Sequence, residues 1–596
     1  GFGGSSSLTL NDPDDDGVYV NTFTVDESTA SADGNYAATI TATDDDGNTK
    51  SGATNQLQLD TTAPSLSNAQ ASDVTDDNGV VDDDDDVDIS VDVADASSVD
   101  TVTADASDFG AGTVTLTDGD SDGTYDTTIT VDGSGAKSVG EYLVNRLYFS
   151  TGFDLPLQES GPTDGAIALL LGDAPPEVGS EGYELTVTGD SVTIRADAPA
   201  GLFMGVQTLR QLLPPAVESE TMEEDSQWPI PGGRIVDYPR FEYRGMHLDV
   251  ARHFFDVDDV KQYIEYAVKY KYNHLHLHLT DDQGWRVEIE GWPKLTEIGA
   301  STEVGGGDGG YYTQEEYEEI VDYARDRFVT VVPEIDIPGH TNAALASYAE
   351  LNPDGNRATP YTDTEVGFST LAVDSEVTYE FLDDVFGQLS ELTTGPYLHL
   401  GGDEVEELTD EEYAGFLERA ADIVESHDKR PIGWQEATTA DLPPSTVIQY
   451  WWPGSESVDP EAAVEAGHEF VLSPSDRAYF DMKYNSDIEL GLDWDGYTTV
   501  EDAYDWDPGE YVEGVDESSV LGVETALWTE TIETIADIEF MLFPRLPAVA
   551  ERGWTDPTQT DWDDFERRLA RQALRWEQAG INFYRTPEID WPDETA

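Results

Sequence analysis

Apolar and polar positions alternate in short runs along the first quarter of the chain. Residues 36–43 and 87–93 have this alternation, and turns rich in Asp and Gly separate the runs. A period of two is typical of half-buried β-strands. The stretch 12–25 recurs at 118–131, at a spacing of 106 residues that suits one β-sandwich module per repeat. We therefore predict an all-β sandwich region over 1–137, with one repeat lacking its start and the other its end.

From about residue 138 the apolar spacing indicates a mixture of helices and strands. Residues 139–155 and 199–213 have a helical period, and the strand-like runs 166–171 and 183–196 lie between them. This order predicts a small α/β domain over 138–213. An acidic, Pro-containing segment over 214–238 is predicted to be a linker.

Strand-like and helix-like segments then alternate over 239–596. Eight β/α units in this length fit a (β/α)8 TIM barrel with loop insertions. In that fold the C-terminal ends of the strands build the site. The predicted strands are 245–250, 273–279, 328–335, 397–401, 430–434, 446–451, 469–473 and 520–528, and the predicted helices are 257–270, 313–327, 377–392, 410–427, 535–551 and 562–579.

The charge of the chain limits its partners. There are 125 acidic and 29 basic residues, which gives a net charge of -96, yet 38% of the residues are hydrophobic and 10% aromatic. This is not the profile of a disordered acidic chain, so the charge has to lie on folded surfaces. Such a field repels nucleic acid and anionic lipid. Our hypothesis is a halophilic protein, adapted to high salt, with no nucleic-acid partner.

Other features of the composition exclude some kinds of site. There is no Cys, hence no disulfide, thiol nucleophile or thiolate metal site. No run of about 18 apolar residues is present, so we predict no membrane span in this chain. The chain begins without Met or a signal-like segment, so either processing removed the start or this is a piece of something longer. The sequence does not indicate an oligomeric state.

Two Asp-rich runs raise the question of calcium. Residues 12–17 and 118–123 resemble the first half of a calcium-binding loop. Phe23 and Ile129 stand where such a loop has its twelfth-position Glu. We favour solvated turn acids there and at 82–86, and we predict no cofactor.

The predicted strand ends carry acids, one Arg and several aromatic side chains. Carboxylates and a guanidinium can hydrogen-bond sugar hydroxyls in pairs, and aromatic rings can stack on the apolar faces of a sugar. The sequence therefore indicates a carbohydrate site. The residues are Asp249, Arg252, Asp281, Glu334, Asp336, His340, Asp403, Glu404, Trp434, Glu436, Trp451, Tyr479, Asp481, Trp528 and Glu530.

The His274-x-His276-x-His278 run calls for a metal test. Strand alternation places all three side chains on one face, as a metal site could use. At a rise of ~3.3 Å per residue, however, they span about 13 Å, too far for one ion. We favour packed and hydrogen-bonded barrel histidines and predict no metal.

Four segments together resemble glycoside hydrolase family 20, the β-N-acetylhexosaminidases. They are residues 244–255, 274–286, 332–340 and 399–404, and the similarity continues through 433–434, 449–451, 479–481 and 527–530, so it covers about 239–590. The segment 138–213 is similar to the small α/β domain that precedes this barrel, with its first strands missing or replaced. Residues 1–137 resemble immunoglobulin-like surface repeats.

The resemblance implies an exo-acting, retaining enzyme that removes terminal β-linked GlcNAc or GalNAc. In that family the 2-acetamido oxygen of the substrate attacks C1 and gives an oxazolinium intermediate. It implies Glu404 as acid and base, and Asp403 and Tyr479 as the groups that hold the acetamido group. His340 and Asp281 would tune Glu404. The implied sugar-binding residues are Arg252, Trp434, Trp451, Asp481, Trp528 and Glu530.

Two other functions stay open at this point. One is release of a disaccharide such as lacto-N-biose, which needs a wider site. The other is a non-catalytic cell-surface adhesion or sugar-binding protein. The presence of Glu404 with Asp403, His340 and Tyr479 favours the enzyme. The repeats lead us to expect an extracellular or cell-surface location.

Overall fold

The computed structural model describes residues 135–159, 165–223, 226–455 and 458–592, together with the strands that lie between residues 39 and 132. The chain divides into two compact units, 1–126 and 127–596. In the first unit β1 pairs with β2, β4 with β3 and β5, and β6 with β7, all antiparallel. These strands are β1 (Thr39–Thr43), β2 (Thr49–Ala53), β3 (Gln56–Leu57), β4 (Ser65–Asp73), β5 (Val87–Ala94), β6 (Val102–Asp105) and β7 (Thr113–Leu116).

The strands β1 and β5 fall on the runs 36–43 and 87–93 that alternation predicted. The immunoglobulin-like sandwich itself remains a prediction. The Asp-rich runs 12–17, 82–86 and 118–123, on which the calcium question depends, lie outside the described residues.

The second unit begins with a six-stranded sheet in the order β13-β11-β12-β10-β8-β9. Two helices pack against this sheet, and their apolar faces form part of its core. The elements are β8 (Thr128–Asp132), α1 (Ala136–Thr151), β9 (Leu157–Glu159), β10 (Ala166–Leu171), β11 (Tyr183–Val187), β12 (Val192–Ala196), α2 (Pro199–Leu212) and β13 (Gly233–Asp237).

Three parts of this sheet differ from the prediction. We assigned 128–132 to the sandwich region and 233–237 to the linker, but β8 pairs with β9 and β10, and β13 pairs with β11. The predicted run 183–196 is a hairpin whose turn is closed by Thr188 N donating to Ser191 O at 2.9 Å. A period of two identifies a strand but not the sheet that it joins, so the pattern alone could not place β8 or β13.

The remaining strands form a closed, all-parallel barrel in chain order, with β21 pairing back to β14. All eight lie within three residues of the predicted ends, and the predicted barrel is confirmed. The strands are β14 (Tyr243–Asp249), β15 (His274–His278), β16 (Thr330–Glu334), β17 (Tyr397–His399), β18 (Arg430–Trp434), β19 (Val447–Tyr450), β20 (Glu469–Leu472) and β21 (Val520–Thr525).

The outer helices are less regular than the strands. The predicted helix 535–551 is two helices, because Pro544 lacks the N–H that a continuous helix requires there. Only a short 3-10 turn connects β18 to β19. The helices are α3 (Val257–Lys269), α4 (Gln314–Arg325), α5 (Asn342–Ser347), α6 (Glu376–Leu392), α7 (Asp410–Ser426), α8 (Pro460–Ala466), α9 (Ser475–Ala478), α10 (Val500–Tyr504), α11 (Ile535–Leu542), α12 (Leu546–Trp554) and α13 (Trp562–Gln578).

The barrel interior is built in layers by strand alternation. A lower apolar cluster includes Tyr243, Val332 and Ile432. An upper cluster at the C-terminal ends is aromatic and consists of Trp434, Trp451, Tyr479, Met482, Ala526 and Trp528. The buried Glu334 lies two residues beyond Val332 of the lower cluster on the same strand, and the buried His278 is paired with it in register. Polar groups in this interior are therefore concentrated toward the site.

The small domain is joined to the barrel by buried ion pairs. Glu218 Oε2 lies 2.9 Å from Arg210 of α2 and 3.0 Å from Lys269 of α3. Arg244 of β14 lies 2.7 Å from Glu181 of the small domain. Among the described residues, no helix has the length and apolarity needed to cross a membrane.

Candidate active site

The chain after β17 turns sharply and delivers two adjacent carboxylates. Gly401 and Gly402 have φ of 65° and 99°, in the left-handed region that favours glycine. A Cβ at Gly401 would collide with the Asp336 carboxylate, whose Oδ1 accepts a 3.1 Å hydrogen bond from Gly402 N. Glu404 follows with φ of 52°. Non-glycine residues in this region are strained and cluster at functional sites.

The two carboxylates have different surroundings. The Asp403 side chain is 11% exposed, whereas that of Glu404 is 37% exposed. Burial and the neighbouring Glu404 raise the pKa of Asp403 to about 6, although His340 acts in the opposite direction. His340 Nε2 lies 3.7 Å from Asp403 Oδ2 and 3.5 Å from Glu404 Oε2. One imidazole therefore faces both acids.

His340 is held by a buried carboxylate. Its Nδ1 lies 3.2 Å from Asp281 Oδ1, and Arg252 lies 2.8 Å from Asp281 Oδ2. Burial opposes ionisation of Asp281, but Arg252 and His340 outweigh it and lower the pKa of this carboxyl. Burial also opposes the charged form of His340, while Asp281 and Asp336 raise its pKa well above the ordinary value. These shifts favour an ionised Asp281 beside a protonated His340.

Aromatic rings form a wall beside the acids. Trp434 and Trp528 have ring centroids 5.8 Å apart, and Tyr479 lies 6.2 Å from Trp451 and 6.3 Å from Trp528. Glu334 accepts a 2.8 Å hydrogen bond from Trp434 Nε1, and Glu436 accepts one of 3.1 Å from Trp451 Nε1. These bonds fix two of the rings. The result is a cluster of buried aromatic side chains near the carboxylate pair.

Polar groups at the C-terminal strand ends accompany the aromatic side chains. Several buried polar atoms have no hydrogen-bond partner within the part of the chain that the structure describes. Buried polar groups are normally paired, so a cluster of unpaired ones at one mouth is what a polar ligand would satisfy. These atoms are Arg252 Nε, His340 Nε2, Asp403 Oδ1, Asp481 Oδ2, Trp528 Nε1 and Glu530 Oε2.

Residues 241–557, more than half of the 596 residues, match the family described as "Glycosyl hydrolase family 20, catalytic domain". The chain belongs to glycosyl hydrolase family 20. A second description, "Glycosyl hydrolase family 20, domain 2", matches residues 111–238, which include the six-stranded sheet from β8 to β13.

Relatives of this family-20 chain cover most of its length. "Beta-N-acetylhexosaminidase" of Cellulomonas fimi is 44% identical over 432 residues, which are 72% of this chain and 86% of that protein. The solved GH20 beta-N-acetylhexosaminidase of Streptomyces coelicolor A3(2) has a TM-score of 0.76 at 49% identity, over 78% of this chain and 94% of that one. The N-acetyl-beta-hexosaminidase of Streptomyces plicatus, solved with Thio-NAglucal, has a TM-score of 0.76 at 50% identity, over 79% and 94%.

All eleven residues that the sequence singled out for this family-20 site lie at the barrel mouth or in the contacts just described. Two exposed rings were missed. Trp452 stacks on Trp451 at 5.9 Å and is 40% exposed, and Trp494 lies 6.0 Å from Trp451 and is 50% exposed. Adjacency to Trp451 was the available signal for Trp452. Trp494 lies in the long loop after β20, where spacing gives no signal.

Several His and acid groups of the barrel could approach one ion, among them Glu334 with His247 and His278. Both ring nitrogens of His278 are already hydrogen-bonded, at 2.5 Å to Glu334 Oε2 and 2.9 Å to Asp281 Oδ2. His276 is likewise shared between Glu334 and Glu524, at 3.0 and 2.8 Å. His274 stacks on Tyr243 at 4.0 Å. Each histidine of the run thus has partners within the barrel, and His276 and His278 share Glu334. The absence of a metal stays a prediction.

Proposed function

We propose that this chain is an exo-acting, retaining β-N-acetylhexosaminidase that removes terminal β-linked GlcNAc or GalNAc. Family membership and the named relatives support a glycoside hydrolase. The observation that carries the proposal is the Asp403–Glu404 pair, which shares one imidazole and stands near a cluster of buried aromatic side chains. An acetamido group has a methyl for such a cluster and an N–H for such a carboxylate.

Glu404 is the proposed acid and base. In the first step it donates its proton to the glycosidic oxygen while the bond from that oxygen to C1 breaks. The acetamido oxygen of the substrate attacks C1 and forms the oxazolinium ion, as family 20 does in place of a carboxylate nucleophile. Water then attacks C1 and gives a proton to Glu404, and the configuration is retained. The greater exposure of Glu404 fits a group that meets leaving group and water in turn.

Asp403 and Tyr479 are proposed to hold the acetamido group. Ionised Asp403 would accept a hydrogen bond from the acetamido N–H and stabilise the positive charge of the intermediate. Tyr479 would donate a hydrogen bond to the acetamido carbonyl oxygen. Burial and the neighbouring Asp481 raise the pKa of Tyr479 well above its ordinary value, so its hydroxyl keeps the proton that it donates. Trp434, Trp451 and Trp528 would enclose the methyl group and exclude water from the intermediate.

The sugar hydroxyls have partners on the opposite side. Arg252 would bind O3 and O4, and Asp481 and Glu530 would bind on the side of O4 and O6. All three have a buried polar atom without a partner in the described chain. A site that requires these hydrogen bonds selects a terminal sugar with free hydroxyls, which is the basis of exo action.

The decisive test is hydrolysis of 4-nitrophenyl β-N-acetylglucosaminide and its galacto epimer in molar salt. We expect turnover by the wild type, with β-anomeric product first seen by NMR. Glu404→Gln is expected to lose about 10²–10⁴-fold in kcat/KM on substrates that need protonation. Glu406→Gln, an exposed acid two residues away, is the matched control and should keep its activity.

Other outcomes of that experiment would reject the proposal. Absence of turnover by the wild type favours the sugar-binding or adhesion function. Equal turnover by Glu404→Gln removes Glu404 from the mechanism. Activity only on a 4-nitrophenyl lacto-N-bioside identifies the disaccharide-releasing alternative.

Adaptation to high salt and an extracellular or cell-surface location are part of the proposal. The first is supported by the net charge of -96 in a chain with a large buried core. The second is supported by the resemblance of 1–137 to surface repeats. Cell fractionation with an antibody to the barrel would test the location, and a cytoplasmic pool alone would reject it.

A further inference from the structure

The buried Glu334 side chain, at the end of β16, contacts four groups in the barrel interior. Its Oε2 lies 2.5 Å from His278 Nδ1 and 3.0 Å from His276 Nε2. Its Oε1 accepts from Trp434 Nε1 at 2.8 Å and lies 3.1 Å from His399 Nδ1. Neither carboxylate oxygen is exposed to solvent, and neither points into the sugar pocket as an unpaired group. Apart from holding the Trp434 ring, this acid has no role in the proposed mechanism.

The contact with His278 begins a chain of contacting side chains that ends at Glu404. His278 Nε2 lies 2.9 Å from Asp281 Oδ2, and Asp281 Oδ1 lies 3.2 Å from His340 Nδ1. His340 Nε2 then lies 3.5 Å from Glu404 Oε2. Carboxylates and imidazoles alternate along the chain, because an imidazole has two nitrogens and can bridge two carboxylates.

We propose that Glu334 and His278 are positioning residues that act on the proton-transfer function of Glu404 through Asp281 and His340. This inference rests on the proposed function of Glu404. Each carboxylate in the chain fixes the protonation and the ring plane of the imidazole next to it. Glu334 fixes His278, His278 fixes Asp281, and Asp281 fixes the one imidazole that faces Glu404.

The pKa shifts along this chain of side chains agree with this order. Burial opposes a charge on His278, but Glu334 and Asp281 raise its pKa well above the ordinary value. Burial likewise opposes ionisation of Glu334, and the histidines around it lower its pKa. Neutralising Glu334 would therefore remove the largest of the contributions that favour a charged His278, and the bond that His278 donates to Asp281 would weaken. The Asp281–His340 contact is where this change reaches the site.

The leaving group separates this role from a structural one. A phenyl β-N-acetylglucosaminide leaves as a basic phenolate and needs the proton of the acid, whereas a 2,4-dinitrophenyl glycoside leaves without it. A fault in proton transfer lowers kcat/KM for the first substrate much more than for the second. A loosened Trp434 ring or a weakened core lowers both equally, since both substrates carry the same sugar.

The experiment compares Glu334→Gln and His278→Gln on these two substrates. We expect kcat/KM on the phenyl glycoside to fall by about tenfold or more, a part of the full acid contribution, and on the 2,4-dinitrophenyl glycoside by less than about threefold. The double variant should lose no more than the worse single variant, because the residues belong to one chain. Glu524→Gln is the matched control, since Glu524 is equally buried and bonds His276 at 2.8 Å but lies off the path to Asp281.

Equal losses on the two substrates by both variants would overturn the proposal, and so would a leaving-group effect of the same size in Glu524→Gln. If Glu334→Gln fails to fold, His278→Gln decides alone, because it keeps the carboxylate. Failure of the wild type on both substrates would instead reject the proposed function, which keeps the two failures distinguishable.

Discussion

At the scale of single residues, the site works by giving two adjacent acids unequal surroundings. Asp403 is enclosed and faces His340 and Glu404, whereas Glu404 reaches solvent. In an ordinary two-carboxylate retaining site the second acid is the nucleophile. In the proposed mechanism the substrate supplies the nucleophile, which is its acetamido oxygen. Asp403 has to be an anion in order to orient the acetamido group. A buried anion is costly to the fold, so function and stability oppose each other at this position.

That opposition gives a prediction for Asp403→Asn. The pKa of Asp403 is raised from 3.8 to about 6, so the folded protein holds a proton that the unfolded chain releases in this interval. Stability is therefore lost as the pH rises through that window, by about 3 kcal/mol at pH 7 and by nothing below it. We expect Asp403→Asn to melt several degrees higher than the wild type at pH 7, to match it near pH 3.5, and to lose about 10²-fold or more in kcat.

Thermal melts at both pH values and one salt concentration would measure this. Asp422→Asn, an exposed acid on α7, serves as the control, and at about 1 M NaCl, where exposed charges are screened, it should show no gain at either pH. A lower melting temperature for Asp403→Asn at pH 7, or the same gain at both pH values, would contradict the argument.

At the scale of elements, the turn after β17 does the positioning. Strand β17 has only three residues, and the chain reaches Asp403 and Glu404 through two glycines with positive φ. The close approach of Asp336 leaves no room for a side chain at Gly401. An apolar run followed by two glycines and two acids is visible in the sequence, which is why Asp403 and Glu404 could be predicted at a strand end of the site.

We expect Gly401→Ala to disturb activity more than its size suggests. A Cβ there meets the Asp336 carboxylate, and the positive φ costs a non-glycine residue about 1–2 kcal/mol. The turn has to move to relieve this collision and this backbone strain. The movement shifts Glu404 away from His340, so we expect kcat to fall by about tenfold or more. Gly415→Ala in α7 is the control, since nothing lies near its Cβ and helical Ala is favoured.

Steady-state kinetics and melting temperatures of both variants would show the difference. A wild-type kcat in Gly401→Ala, or an equal loss of kcat in Gly415→Ala, would show that the turn does not position Glu404.

The strands of the barrel could be predicted because each is a short run, mostly buried, whose apolar positions contrast with the helix-like or loop segments around it. The outer elements were harder. α8 has seven residues and one buried apolar side chain, Ala463, so the helix is too short for a helical period to show in the sequence. β13 has no fully buried residue, and its composition resembles that of a linker. The contacts of Glu334 were beyond reach for another reason, since they join residues that are 56 and 100 positions apart.

At the scale of the whole molecule, charge is the dominant feature. A net charge of -96 destabilises a compact state by self-repulsion unless ions screen it. The exposed outer helices carry much of this charge, for example Glu318 on α4, Glu380 on α6 and Asp422 on α7. The Debye length falls from about 10 Å at 0.1 M salt to about 3 Å at 1 M. Most of the screening of the repulsion between such groups is therefore reached within that range.

We therefore expect melting temperature and activity to rise steeply with NaCl up to about 1 M, and more slowly above it. A variant with Glu318→Gln, Glu380→Gln and Asp422→Asn should reach the same melting temperature at lower salt, because it has three fewer exposed charges to screen. Sucrose, which favours burial without screening charge, separates the two effects: it should not replace NaCl at low ionic strength. Full stability in dilute buffer, or an identical salt curve for the variant, would reject adaptation to high salt as the reason for the acidic surface.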